Sequence, residues 1–420
     1  MQENNKRFDL SEQLIHFFRD VDLKSERPVD AVEDFGPSNL VLGEPGNWSA
    51  LFLLRCAVRS QRLWATWSVR NGRRGVFGPR PAVCFSEMPL AAFLETSERR
   101  EAWGQAMSGY ALTFPKVGMY SLGARPAIYG LSDQARTPPS GEPHQARLIP
   151  TEDLPLPEQY RYVPYNPTGT KAVDWLHERE WRWPCDRDLT AYKKHLRQVG
   201  HIPSSSDMPF LDIATTQVKG MGIVVKSQKD GSKLAYDVLT LVDREIISPR
   251  HIDYILVRDE LPPTGNLYEP DQTARALSDA KLSISDFLKK TAERAEEDMR
   301  DFASRVAAIE SGAGSIEPGE SGACWLWFFN NTAPYVRSLL AKGRIKVSES
   351  GKYLARLDEF DRARGRLQRE RMATELARQL KRQLKIEACY YSVSAGDNPD
   401  KSGSFFPDRF DNEFYFNNTR

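Results

Sequence analysis

The stretch at residues 171–184, Lys-Ala-Val-Asp-Trp-Leu-His-Glu-Arg-Glu-Trp-Arg-Trp-Pro, compresses three Trp, two Glu and two Arg around Glu180. Side chains alternate along a strand with period 2. As a strand it therefore sends Glu178, Glu180 and Arg182 to one face and His177, Arg179, Trp181 and Trp183 to the other. A strand that buries its indole face holds carboxylates and a guanidinium rigidly on the opposite one. As a helix, the same residues give an ordinary Glu178–Arg182 pair at i,i+4, with Trp175 stacked near Arg179.

Bulk properties narrow the classes. The chain has 420 residues, enough for two or three domains, and a net charge of +1. Global steering toward nucleic acid or an acidic partner is not implied. The five cysteines (Cys56, Cys84, Cys185, Cys324, Cys389) form no CxxC pair, and His144, His195 and His201 stand at no metal-ligand spacing from them. That pattern argues for a reducing cytosol and against a zinc cage or disulfide scaffold. The polar start, Met-Gln-Glu-Asn-Asn-Lys-Arg, has no apolar signal core, and no run of 18 apolar residues occurs. The expectation is a cytoplasmic protein without a membrane span.

Short strands and helices alternate through the first 260 residues. Leu14, His16 and Phe18 share one face of an early strand, with Ile15 and Phe17 on the other. Residues 45–86 lack Asp and Glu but carry Arg55, Arg59, Arg62, Arg70, Arg73, Arg74 and Arg80. Trp48 to Trp67 has helical spacing, and Asn71-Gly72 marks a turn. Arg70, Arg73 and Arg74 flank that turn, where guanidinium groups suit a pyrophosphate. A solvated basic surface is the competing reading. Pro81-Ala-Val-Cys-Phe-Ser-Glu-Met-Pro-Leu90 reads as a buried strand with Ser86 at its exit, as ligand contact or strand cap. A helix over 95–106 follows. Further strands are expected at 110–116, 127–130, 221–226 and 252–258, with a short helix at 236–243. The Pro- and Gly-rich segment 132–170 reads as irregular chain. Pro262-Pro263-Thr-Gly closes the unit, so the domains are read as 1–262 and 270–420.

The second part begins with the clearest helix, 285–310. Leu288, Ala292, Ala295, Met299, Phe302, Val306 and Ile309 alternate spacings of 4 and 3, a seam for a partner helix, with intramolecular packing favoured over a dimer contact. Ser283 with Asp286 reads as its capping box. A helix over about 360–386 carries nine Arg and Lys against three acids, with Leu367, Met372, Leu376, Leu380 and Leu384 as its buried stripe. Its charged side suits RNA, DNA or an acidic partner, or simply solvent. Phe405, Phe406, Phe410, Phe414, Tyr415 and Phe416 are too apolar for a free tail and are expected to dock.

His16 on an early strand, an arginine-rich turn, Ser86 after a buried strand and Glu178-Arg-Glu180 form an ordered set. That order resembles the ADP-ribosyltransferase fold. Leu14-Ile-His-Phe, Val83-Cys-Phe-Ser-Glu-Met-Pro-Leu, Tyr110-Ala-Leu-Thr-Phe-Pro-Lys and Trp175-x-x-Glu-x-Glu-Trp-Arg look like the AbiGi-type abortive-infection proteins of bacterial phage defence. The resemblance covers about residues 10–260. It implies an α+β chain with a split β-sheet catalytic core, followed by a smaller helix-rich α+β domain that recognises a target or partner. It also implies NAD as substrate, with no metal required. Glu180 would be the catalytic carboxylate and Glu178 would orient or deprotonate the acceptor. His16 would hold the ribose, Ser86 would brace Glu180, and Arg70, Arg73 or Arg74 would take the pyrophosphate. Tyr110, Tyr120 and Tyr129 compete for the middle position of a His-Tyr-Glu triad, and Tyr110 is grouped with the NAD-contacting residues.

Cleavage of the nicotinamide–ribose bond passes through an oxocarbenium-like state, which a fixed carboxylate stabilises. The resemblance therefore implies a toxin of a phage-defence or toxin–antitoxin system that transfers ADP-ribose from NAD to a protein or nucleic-acid acceptor. A neutralising antitoxin would be its natural partner. Two rivals stand beside it. One is a non-catalytic nucleic-acid-binding protein, resting on the basic helix and the 45–86 arginines. The other is an antitoxin or scaffold with a degenerate core.

Overall fold

The computed structural model describes residues 10–22, 47–70, 73–105, 107–131, 147–168, 174–187, 194–195, 198–200, 209–214, 218–263, 270–289, 292–400 and 403–407. The chain divides into two compact units, Met1–Gly231 with Arg250–Leu282, and Ser232–Pro249 with Ser283–Thr419.

Runs of β-branched and aromatic residues, several of them closed by proline or glycine, build one eight-stranded mixed sheet in the first unit. Its strands are β1 (Gln13–Phe17), β2 (Ala82–Ser86), β3 (Ala111–Pro115), β4 (Arg125–Pro126), β5 (Glu180–Pro184), β6 (Met221–Val225), β7 (Ile252–Val257) and β8 (Lys281–Ser283). They lie in the order β8-β7-β6-β3-β1-β2-β5-β4. β6 and β7 are parallel, and the ladders from β6 across to β4 are antiparallel. Residues paired directly across a ladder share a face. One rung runs Tyr254–Gly222–Thr113–Ile15–Ser86–Glu180. On this face Ile15, Val224, Tyr254 and Leu256 pack with Phe93 and Leu94, which belong to a helix at Leu90–Ala102. Gly222 is required in the rung, because a Cβ there would fall 2.2 Å from the Tyr254 ring. That ring crosses the strand to bond Thr113 Oγ1 at 2.8 Å and Gln13 Oε1 at 3.0 Å.

The helices of this unit begin with α1 (Ala50–Ser60), α2 (Leu90–Ala102) and α3 (Lys116–Ser121), continue with α4 (Gln228–Asp243), which runs on into the second unit, and end with α5 (Pro270–Asp279). Ser49 caps α1 by accepting the Phe52 N–H at 3.2 Å. The helix expected through Trp67 stops at Gln61, which turns left-handed at φ 56°. Arg62–Trp64 then leaves as a strand paired with Phe210–Asp212. A nonlocal ladder thus overrides the helical spacing. The unit also extends past the Pro262-Pro263 boundary, since α5 and β8 continue it to Leu282.

In the second unit β9 (Cys324–Phe328), β10 (Ile345–Val347), β11 (Tyr353–Arg356), β12 (Ala388–Val393) and β13 (Ser404–Phe405) form an antiparallel sheet in the order β10-β11-β9-β12-β13. Leu326 and Phe328 share a core with residues of α6 (Ala292–Gly312), α7 (Pro334–Ala341) and α8 (Arg366–Leu384). Phe302 and Val306 of α6 are buried there, with Met299 and Ile309 packed beside them, so the seam packs within the chain. Ser283 makes no capping bond and pairs with Ser285 instead. Trp325, Trp327, Phe329 and Tyr391 line the opposite sheet face. Phe406 stacks on Tyr391 there, whereas residues 410–416 lie outside the described residues.

The basic helix reads differently once folded. Met372, Leu376 and Leu380 are buried as expected, but Leu367 and Leu384 are exposed. Arg366 and Glu370 turn inward in place of Leu367 and pair with each other. Acids from elsewhere in the unit meet three more of the cations: Arg364 pairs with Glu310, Arg371 with Glu317 and Lys381 with Glu387. Arg378 and Arg382 share Glu375 within the helix. Arg364 and Arg366 are therefore spent inside the unit, while Arg371, Arg378, Lys381 and Arg382 make pairs that stay at the surface.

Ser232–Pro249 belongs to this unit for a clear reason. Tyr236 is in its core. Asp243 takes a two-pronged bond from the Arg337 guanidinium, at 2.5 and 2.9 Å, and the Tyr353 hydroxyl at 2.5 Å. Asn331 Nδ2 donates to the Tyr236 carbonyl at 2.9 Å and to Tyr353 Oη at 2.8 Å. Arg337 and Asp243 are both below a tenth exposed, so removing one strands the other charge. Arg337→Ala is expected to cost about 3–5 kcal/mol in denaturant unfolding monitored on this unit.

Among the described residues no helix is long and apolar enough to cross a membrane.

Candidate functional site

β5 begins at Glu180, two residues later than the alternation from Glu178 predicts. Leu176–Glu178 is a 3-10 turn, and Arg179 is left-handed at φ 47°, ψ 53°. The strand alternates only from Glu180 onward. Glu180 and Arg182 then share one face, with Trp181 and Trp183 on the other. Glu178 is not on the strand, and each carboxylate has its own guanidinium. Arg182 Nε and Nη2 meet Glu180 at 2.8 and 3.3 Å. Arg100 of α2 meets Glu178 at 2.7 Å.

Arg182 is buried, and its Nη1 donates to the carbonyls of Tyr160 and Tyr162 at 2.7 and 3.1 Å. These carbonyls come from the segment read as irregular. Leu156–Arg161 is a 3-10 turn, and Tyr162–Val163 pairs in parallel with Ile128–Tyr129. The fully buried Gln159 fastens it by bonding both backbone polar groups of Ile149 and the Leu154 carbonyl. Residues 132–146 lie outside the described residues.

Ser86 lies directly opposite Glu180 on β2. Its hydroxyl donates to the Glu178 carbonyl at 2.7 Å and accepts the Met88 N–H at 3.1 Å. It therefore braces the turn before Glu180 rather than the Glu180 carboxylate. Of the three competing tyrosines, Tyr129 meets Glu180: its hydroxyl accepts the Glu180 N–H at 2.5 Å. Burial and then the Glu180 and Glu178 carboxylates push the Tyr129 phenol up to about 12, so it stays protonated and able to donate. Tyr110 instead donates to Asp230 at 2.9 Å, and burial and that carboxylate raise its pKa. Tyr120 is 53% exposed beside the Arg125 guanidinium. Sequence spacing alone left Tyr129 unranked, because its position depends on the Ile128–Tyr129 pairing.

His16 is not brought onto the face of Glu180. Ile15, Ser86 and Glu180 share a rung, so the adjacent His16 points the other way. Its ring lies edge-on to Phe18 at 5.0 Å and Phe85 at 5.8 Å. Its Nδ1 is 2.9 Å from the Cys84 carbonyl, which favours the tautomer with the proton there. Burial lowers its pKa, against the opposing effect of that hydrogen bond. Arg74 stacks on Trp67 with its guanidinium 4.2 Å from the ring centroid. Arg70 and Arg73 pair backbone to backbone across the turn. Their side chains, with Asn71 and Gly72, lie outside the described residues.

The site is thus a two-carboxylate, two-guanidinium cluster with a protonated phenol. Glu180 and Glu178 retain 14% and 18% side-chain exposure, so a ligand can reach both. A carboxylate has about four acceptor positions, and Arg182 uses two of those on Glu180. The remaining acceptor positions of Glu180 can take hydrogen-bond donors, and its charge can favour a neighbouring positive charge.

Residues 284–418 match a family described as "Protein of unknown function (DUF4427)". The match lies in the second unit and does not reach Glu180. No curated protein and no solved structure matches the chain.

His251, also buried, has its pKa lowered by desolvation. With His16 it is neutral in the fold and protonates more readily when unfolded. Both contribute stability that is complete above the ordinary value of 6.5 and lost as pH falls through their lower folded values. Unfolding midpoints are expected to drop between about pH 7 and pH 5, and His16→Gln to flatten part of that slope.

Proposed function

We propose that the first unit is an NAD-dependent ADP-ribosyltransferase acting from Glu180, as a toxin of a phage-defence or toxin–antitoxin system. The observation that supports this reading is the rung Ile15–Ser86–Glu180. It sets three motifs from distant parts of the sequence on neighbouring strands, with the Tyr129 hydroxyl at the Glu180 amide. On this reading the free acceptor positions of Glu180 take the ribose 2′-hydroxyl, and its charge stabilises the oxocarbenium-like ribosyl carbon. Tyr129 donates to the ligand or to a neighbouring carboxylate. Glu178, released from Arg100, takes the proton of the acceptor nucleophile. His16, on the other face, supports β1 and β2 without touching the ribose beside Glu180. The acceptor is a macromolecule. The arginines of α8, several of them paired with carboxylates, do not choose between nucleic acid and protein. Split-sheet ADP-ribosyltransferase architecture is part of the same proposal.

A second reading has its own observation. Both carboxylates already sit in arginine pairs, which is what a purely structural cluster in a non-catalytic binding protein would show.

Incubation of the protein and of Glu180→Gln with labelled NAD and cell extract separates the two. Label is expected in the protein or the nucleic-acid fraction, falling at least about 10²-fold in the variant. Circular dichroism would check that the variant is folded, since it weakens the partner of buried Arg182. No NAD consumption by partner-free wild type, with only a lowered melting temperature in Glu180→Gln, would establish the structural reading.

A further inference from the structure

The turn that delivers Glu180 is strained and must be held. Arg179 is a non-glycine residue in left-handed conformation, which costs about 1–2 kcal/mol. The dipeptide Ser86-Glu87 supplies the contacts that hold it. The Ser86 hydroxyl takes the carbonyl of Glu178, and the Glu87 N–H donates to the carbonyl of Arg179 at 3.1 Å. The Glu87 carboxylate then reaches over the other face of β5. Its Oε2 accepts the Trp181 indole N–H at 2.7 Å, and its Oε1 meets Arg179 at 3.6 Å and Lys116 at 2.9 Å. Glu87 therefore grips the residues immediately before and after Glu180 without touching the Glu180 carboxylate.

We infer that Glu87 is a positioning residue, whose carboxylate sets the direction of Glu180 by clamping Arg179 and Trp181. Lys116, at the start of α3, pairs with the same oxygen but has no part in the proposed clamp. The inference rests on the proposed transferase reading only for its kinetic consequence.

Hydrogen exchange followed by mass spectrometry on full-length protein tests the clamp without any need for activity. In Glu87→Ala, amides in a peptide spanning 178–182 are expected to exchange about tenfold faster, while peptides from β6 and β7 keep wild-type rates. Lys116→Ala, which removes the ion pair but leaves the clamp, is expected to leave the 178–182 peptide unchanged. Equal acceleration across the whole first unit, no acceleration, or the same effect from Lys116→Ala would overturn the inference. If Glu87→Ala does not fold, Glu87→Gln decides by the same readout. It keeps an oxygen for the Trp181 indole but loses the charge on Arg179, so a smaller, still local acceleration is expected. Where wild type consumes NAD, Glu87→Ala is expected to lower kcat about tenfold with KM little changed. A local acceleration with kcat unchanged would remove the catalytic consequence. Absence of wild-type NAD consumption would overturn the transferase reading, while the exchange data would still judge the clamp.

Discussion

A buried guanidinium is expensive unless every donor is met, and Arg182 imposes that condition on the first unit. It is about one-twentieth exposed, with burial opposing its charge and Glu180 favouring it. Glu180 supplies two acceptor oxygens, and the Tyr160 and Tyr162 carbonyls take the N–H groups of Nη1. Those carbonyls are within reach only because Tyr162–Val163 pairs with Ile128–Tyr129 and Gln159 pins the preceding turn. The same pairing carries Tyr129 to the Glu180 amide. One charge below the surface thus helps to fix a Pro-rich segment whose Ile149, Leu154 and Tyr162 also share a core with Phe77, and it places a phenol beside a carboxylate.

Apolar patterning in the sequence was enough to find the main strands of the first unit and two long helices of the second. Apolar runs at 13–17, 82–86, 111–115, 221–225 and 252–257 mark strands because each buries its apolar side chains in a packed sheet. The α6 seam was readable because Phe302 and Val306 face one core. What failed was whatever depended on a partner distant in sequence. Arg62–Trp64 has helical spacing but meets Phe210–Asp212. Glu178 continues the alternation of Glu180 and Arg182 in sequence, yet a left-handed Arg179 removes it from the strand. The placing of His16 opposite Glu180 follows from cross-strand register, which no local pattern encodes.

Charge runs were the least readable feature for the same reason. Nine cations in 360–386 suggest a binding face if only that helix is considered. Some of their acids lie far along the chain, at Glu310, Glu317 and Glu320, and the others within or just beyond the helix, at Glu370, Glu375 and Glu387. Buried or half-buried arginines that find carboxylates on other elements fix how those elements pack. The Arg337–Asp243 pair does this most plainly, because it draws residues 232–249 into a unit that otherwise begins at Ser283. A family match that starts at residue 284 therefore omits a helix that supplies Tyr236 to the core and a counter-ion to Arg337.

Ion pairing of Glu180 need not compete with a catalytic role. A carboxylate fixed by Arg182 on one edge keeps its remaining lone pairs for a ligand, and its orientation is set before the ligand arrives. Preorganisation of this kind is what makes an electrostatic contribution effective, since no reorganisation is required as positive charge develops. Glu178 differs in kind. Its carboxylate leans on Arg100, a residue of a separate helix that also reaches toward Trp175 with its guanidinium 6.0 Å from the ring. The backbone of Glu178 is held by Ser86, but its side chain is held only from across the gap to α2. Of the two carboxylates, Glu180 is held within its own strand by Arg182 and Glu178 from a separate helix by Arg100, an arrangement that fits the proposed roles of fixed charge and proton acceptor.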